Sequence, residues 1–142
     1  MLKVMFLCTG NSCRSQMAEG FARHFGRDRF DVHSAGVLAA GVHPRAIAVM
    51  QEAGIDISGQ SSKVAEQDRL ATMDVIITLC DNARDTCPYT PPQIERLHWP
   101  IKDPVGTIGT EAHIMKEFRR ARDEIREKVE QFVKDRAGTN GT

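Results

Sequence analysis

The chain reads as an α/β domain with a mainly parallel sheet. Three observations predict this. Short apolar, β-branched runs alternate with segments of helical periodicity. The last third carries one long amphipathic pattern of the kind that covers a sheet. And 142 residues suffice for one domain but not for two comfortable ones.

Each element follows from local pattern. Leu2 to Leu7 is an apolar run ending in Thr9, Gly10, Asn11 and Ser12, hence a buried strand and a loop. Ser15 can cap a helix in which Met17, Ala18, Phe21, Ala22 and Phe25 recur at helical spacing, with Gly26 as its stop. Phe30 to Ser34 alternates and predicts a short strand. Pro44 opens a second helix through Ala46, Ile47, Val49, Met50 and Ala53, closed by Gly54. Val64 to Met73 is a weaker helical stretch, and Asp74 to Leu79 is a β-branched buried strand. Pro88 to Pro92 breaks the pattern, and whether residues 80–88 form helix or loop stays open. Arg96 to Ile101 predicts a fourth strand, followed by a loop with Pro104, Gly106 and Gly109. Ile114, Phe118, Ala121, Ile125, Val129 and Phe132 define the final helix. Residues 1–136 form the expected single domain, and the small polar tail 137–142 is expected to fray.

Composition narrows the function. Lys plus Arg equals Asp plus Glu at 19 each, which argues against a general nucleic-acid or polyanion binder. A chain 41% hydrophobic and 27% charged is globular. The N-terminal apolar run is too short for a signal peptide, and nothing approaches the roughly 18 apolar residues of a membrane span. A cytoplasmic protein is expected, with no membrane partner. Structural disulfides are rare there, so Cys8, Cys13, Cys80 and Cys87 are candidates for catalytic, redox or metal-binding roles.

The segment Cys8-Thr9-Gly10-Asn11-Ser12-Cys13-Arg14-Ser15 lies between a strand and a helix, where open α/β sheets bind ligands. Its small residues let backbone N–H groups turn around one centre, a nest for a tetrahedral oxyanion at a helix N-terminus. Arg14 adds a planar fork able to grip two oxygens. The same dipoles and guanidinium stabilise a thiolate at Cys8, the candidate nucleophile, to which Ser15 could offer a hydroxyl. The competing reading is a tight loop with an inert buried cysteine. The nucleotide fingerprints Gly-x4-Gly-Lys-Ser/Thr and Gly-x-Gly-x-x-Gly are absent.

Cys-x5-Arg-Ser so near the start of a small α/β chain resembles the low-molecular-weight protein tyrosine phosphatases and the thioredoxin-coupled arsenate reductases that share their fold. The stretch Cys8 to Gly20 is more similar to the reductases. The likeness continues through Ser34-Ala35-Gly36, Ile55 to Ser58 and Phe118 to Ile125. It implies a three-layer α/β/α fold with a four-stranded parallel sheet and helices on both faces.

Cys80 and Cys87 separate the two relatives. A phosphatase needs one thiolate and a water, whereas a reductase needs a second thiol to attack the adduct on the first and a route to re-reduction. Cys80 follows the Asp74 to Leu79 strand, on the side of the Cys8 loop, and Cys87 lies across a polar, turn-forming segment. Two coincidental structural thiols remain an alternative. A zinc site is disfavoured by Cys-x4-Cys and Cys-x6-Cys spacings, so no metal is expected. No histidine is given a role. Asp103, before Pro104, is either a turn starter or the acid that protonates a leaving oxygen, and the resemblance favours the acid.

The resemblance implies arsenate bound by residues 8–15, with Arg14 as clamp and Asp103 as acid. Cys8 would be the nucleophile, Cys80 the resolving thiol and Cys87 the exit to thioredoxin, with Cys13 auxiliary and weak side phosphatase activity. No tightly bound cofactor is expected. Some relatives hold potassium with Asn, Glu, Ser and Asp. Here Asn11, Glu19 and Ser34 match but Lys63 stands at the Asp position, so no strong potassium site is expected. Two other functions compete: a phosphoester hydrolase, and a non-catalytic redox sensor. The former is disfavoured by Val105 to Ile108, which lacks the tyrosines that follow the acid in the phosphatases.

Overall fold

The computed structural model describes residues 1–86 and 91–140, with side chains at 1–85 and 91–136. The elements run β1 (Leu2–Cys8), α1 (Arg14–Gly26), β2 (Phe30–Gly36), α2 (Pro44–Glu52), α3 (Gln67–Leu70), β3 (Val75–Thr78), α4 (Asp81–Thr86), β4 (Glu95–His98) and α5 (Glu111–Asn140). A single 3-10 turn, Arg27–Arg29, joins α1 to β2. The four strands form one all-parallel sheet in the order β2-β1-β3-β4.

Both faces of this sheet are covered, as the burial of its central strands shows. Successive side chains of a strand point to opposite faces, yet Val4, Met5, Phe6 and Leu7 of β1 are all buried, as are Val75, Ile76, Ile77 and Thr78 of β3. That is why these strands read as continuous apolar runs rather than alternating ones. On one face, Phe6 meets Trp99, and Trp99 meets Phe132 of α5. α5 also packs along α1 and α2. Its stripe Phe118, Ala121, Ile125, Val129 and Phe132 is buried as its spacing predicts.

Several boundaries differ from the sequence expectation. The Val64 to Met73 stretch is helical only at Gln67–Leu70; Val64 instead bridges Gly36 at the sheet margin. The strand expected at Arg96 to Ile101 is β4 at Glu95–His98. Trp99 and Ile101 still donate to Thr78 and Leu79 carbonyls, but Pro100 between them has no N–H and the ladder ends. Ser15 does not cap α1: the helix starts at Arg14 and Cys13 occupies the cap position without a side-chain bond. Segment 81–86, left open by the sequence, is helical.

The strand order sets the site. β1 lies between β2 and β3, so the chain passes from β1 to one neighbour, β2, and then crosses past β1 to the other, β3. The crevice beyond the carboxyl end of such a strand is where open sheets place ligands. Cys8 is the last residue of β1, and Cys80 and Asp103 follow β3 and β4 at the same end.

Candidate active site

The Cys8–Ser15 loop is held from outside by its carbonyls. Val37, Leu38, Ala40 and His43 N–H groups donate to the carbonyls of Cys8, Thr9, Gly10 and Ser12 at 2.9–3.3 Å. The Asn11 carbonyl accepts from Gln16 Nε2 at 3.0 Å. Five successive carbonyls thus point outward, an arrangement that turns the loop's amides toward its centre and suits an anion. Asn11 makes the turn with φ of +46°, a left-handed conformation that asparagine tolerates better than most residues. Gly36 supports the loop from β2 by having no side chain: a Cβ there would stand 2.6 Å from Asn11 N and 2.8 Å from Thr9 O.

A hydrogen-bond chain reaches the Cys8 sulfur. The buried Asn11 amide donates through Nδ2 to Ser15 Oγ (2.7 Å) and to Ser34 Oγ (2.9 Å). Ser34 in turn donates to Glu19 Oε1. Ser15 Oγ stands 2.8 Å from Cys8 Sγ, and since it accepts from Asn11 its own proton remains available to a Cys8 thiolate, which can only accept. The Ser15 hydroxyl thus lies at the Cys8 sulfur and not at the helix end.

Arg14 is buried, donating to the Ile101 carbonyl at 2.8 Å and standing 3.5 Å from Asp103 Oδ2. Asp103 starts a turn and also faces the loop. Its Oδ1 accepts from Val105 N–H at 3.0 Å, closing a turn, while Oδ2 faces the loop's guanidinium. Cys13 is buried in the same loop, and burial, Asp103 and Cys8 together push its thiol far above the usual range. It stays protonated at neutral pH and is a poor nucleophile.

The second thiol is also at the loop. Cys80 Sγ lies 3.3 Å from Thr9 Oγ1 and accepts from Ala83 N–H at 3.3 Å, so it caps the first turn of α4. Asn82 Nδ2 adds a bond to Thr9 Oγ1 at 3.2 Å. Cys8, Cys13 and Cys80 are unpaired, buried thiols. Cys87 lies outside the described residues.

The residues aligned with a cation site are bonded to one another, to the Arg23 guanidinium and to the Lys63 backbone, while the Lys63 ammonium turns to the Ser61 carbonyl. Glu19 pairs with Arg23 at 2.8 Å besides its Ser34 bond. Asn11 Oδ1 accepts from Lys63 N–H at 2.7 Å. Among the described residues no group of three or more His, Cys, Asp or Glu is arranged to hold a metal ion. Sequence reasoning missed the supporting roles of Gln16, Ser62 and Gly36. Gln16 also donates to the Ser61 carbonyl and Ser62 to the Gly10 carbonyl, contacts between distant segments with no local pattern.

A cysteine loop at the switch point of a four-stranded parallel sheet, with an arginine at the following helix start, defines a phosphatase-like α/β protein. Residues 3–138 match the low molecular weight phosphotyrosine protein phosphatase family, and the chain belongs to it. Within that family it is similar to proteins named arsenate reductase. That of Bacillus licheniformis is 50% identical over 130 residues, spanning 92% of this chain and 94% of the relative. That of Bacillus subtilis is 48% identical over the same shares. A solved arsenate reductase in its phosphate-binding state superposes with a TM-score of 0.78 at 40% identity, covering 95% of this chain and 98% of that one.

Proposed function

We infer that this chain is a cytoplasmic arsenate reductase of arsenic detoxification that works by a Cys8–Cys80–Cys87 cascade re-reduced by thioredoxin. The observation that carries the reading is the second thiol, Cys80, bonded to Thr9 of the loop that begins at Cys8. A hydrolase needs only the first thiolate and a water, with a second thiol serving at most as redox protection. The names of the relatives support the substrate.

The chemistry follows from the placement. Arsenate seats in the loop of Thr9, Gly10, Asn11, Ser12, Cys13, Arg14 and Ser15, with Arg14 exchanging Asp103 for two arsenate oxygens. The Cys8 thiolate, stabilised by the Ser15 hydroxyl, attacks arsenic. An S–As bond forms, an As–O bond breaks, and Asp103 gives the proton with which that oxygen leaves as water. The Cys80 thiolate then attacks the Cys8 sulfur. An S–S bond forms and the S–As electron pair stays on arsenic, which passes from As(V) to As(III) and departs as arsenite. Cys87 next displaces Cys8 from Cys80, and the Cys80–Cys87 disulfide takes two electrons from a thioredoxin dithiol. Cys13 takes no part.

The same cup and acid suit a phosphoester, so weak phosphatase activity accompanies the reductase. The pairing of Glu19 with Arg23, and the Lys63 backbone N–H already on Asn11 Oδ1, support an enzyme without a strong potassium site. The test is arsenate-dependent NADPH consumption with thioredoxin and thioredoxin reductase, run beside aryl-phosphate hydrolysis. Consumption matched by arsenite is expected. Phosphatase activity without arsenite would return the chain to the hydrolases.

A further inference from the structure

We propose that His98 is a positioning residue for the second thiol: its ring clasps Asp81, at the start of α4, to Thr78 of β3, and so holds Cys80 against the loop. This rests on the reductase reading above, because only that chemistry uses Cys80.

The clasp has a rigid base. Thr78 is buried and is the register partner of His98 across the β3–β4 pair. Its Oγ1 is 2.7 Å from His98 Nδ1. On the other side of the ring, His98 Nε2 is 3.0 Å from Asp81 Oδ1. Asp81 directly follows Cys80 and is the first residue of α4. Its side chain is 71% exposed, so burial does not fix it and the ring does.

Such a fixture matters because α4 has only six residues. Helices that short do not hold themselves in water and depend on tertiary tethers. The tethers at its start are the Cys80 sulfur on Ala83 N–H, the Asn82 bond to Thr9, and the His98–Asp81 bond. The first involves the sulfur that attacks Cys8, and the second involves Thr9, the loop residue that also contacts that sulfur. The third involves neither, and ties the attacking residue to the sheet during the step.

The bond survives either protonation state of the ring. A neutral ring protonated at Nε2 donates to Asp81 and accepts the Thr78 hydroxyl proton at Nδ1. A charged ring donates to both, and Thr78 turns its proton to the Leu97 carbonyl at 3.4 Å. Arg84 also stands near Asp81, 3.9 Å from the same oxygen and closer, at 3.1 Å, to Asp85.

Two amide variants separate the halves of the clasp. In His98→Asn the amide reaches the Nδ1 position and keeps Thr78 but loses Asp81. In His98→Gln it reaches the Nε2 position and keeps Asp81. Reduced protein is mixed with arsenate, quenched on the millisecond scale, and the Cys8–Cys80 disulfide is quantified by peptide mass mapping. Inorganic phosphate affinity, by calorimetry, reports the cup. Loss of one charge-assisted bond predicts disulfide formation about tenfold slower in His98→Asn, phosphate affinity unchanged within about twofold, and His98→Gln within about threefold of wild type. Asp81→Ala should match His98→Asn, and the double variant should be no slower. Wild-type disulfide rates in His98→Asn would overturn the proposal, as would equal slowing of both amide variants with weakened phosphate binding. If the wild-type protein forms no Cys8–Cys80 disulfide, the reductase reading fails first and the clasp with it.

Discussion

Replacing Ser15 by alanine tests the electrostatics of the nucleophile. Asn11 Nδ2 can only donate, so Ser15 Oγ accepts from it at 2.7 Å and keeps its own proton to give. Cys8 Sγ stands 2.8 Å away, and as a thiolate it can only accept that proton. A hydrogen bond to a charged partner contributes about 1.5–3 kcal/mol, which corresponds to about a ten- to hundredfold slower Cys8 step. The variant also strands one N–H of the buried Asn11 amide, at about 1–3 kcal/mol of stability. The assay is single-turnover loss of the Cys8 thiol on mixing with arsenate, with phosphate affinity and thermal unfolding measured on the same sample. A slower thiol step and a melting temperature lower by a few degrees are expected. A Ser15→Ala protein whose Cys8 reacts within twofold of wild type would refute the idea that the hydroxyl serves the sulfur.

Other expectations follow from the same geometry. Gly36→Ala pushes a Cβ to 2.6 Å from both Asn11 N and Leu38 O, contacts with backbone that cannot yield cheaply. Phosphate binding and arsenate turnover should both collapse while the far-UV circular dichroism persists. Glu52, held by Arg119 and Arg122 of α5, has its carboxyl lowered to about 2, chiefly by the Arg119 hydrogen bond. A depressed carboxylate stabilises the fold above its unfolded value, near 4.5, and that stability is lost as pH falls toward about 2. Urea titrations of Glu52→Gln between pH 5 and 2 should therefore show a flatter acid limb than wild type, though a shallow one, since the pair is partly exposed. Potassium at constant ionic strength should leave turnover unchanged within about twofold; several-fold activation would show that the Arg23 guanidinium and the Lys63 backbone N–H leave room for an ion.

What was legible in the sequence was local. Cys8, the small residues after it and Arg14 announce an anion loop because strand, turn and helix start are contiguous, and the burial of β1 and β3 on both faces is written in their unbroken apolar runs. What was not legible depends on register or on distant partners. Lys63 donates its backbone N–H to Asn11 across 52 positions, and Gly36 matters only because β2 passes under the loop. His98 carried no signal as a single histidine; pairing β4 with β3 put it beside Thr78 and within reach of Asp81. Ser15 looked like a cap because serine commonly is one, but a buried sulfur and a buried amide compete for its hydroxyl and win. Val64 to Met73 has helical spacing but mostly exposed or half-buried side chains, so only one turn forms.

The central claim is that Cys80 resolves the Cys8 adduct and Cys87 carries the oxidation away. It is tested most directly by arsenite yield from Cys87→Ser in the presence of thioredoxin and its reductase. The account predicts about one arsenite per protein, followed by a stalled species in which peptide mapping finds Cys8 joined to Cys80. Sustained cycling of Cys87→Ser with thioredoxin, or arsenite release without that disulfide, would contradict it.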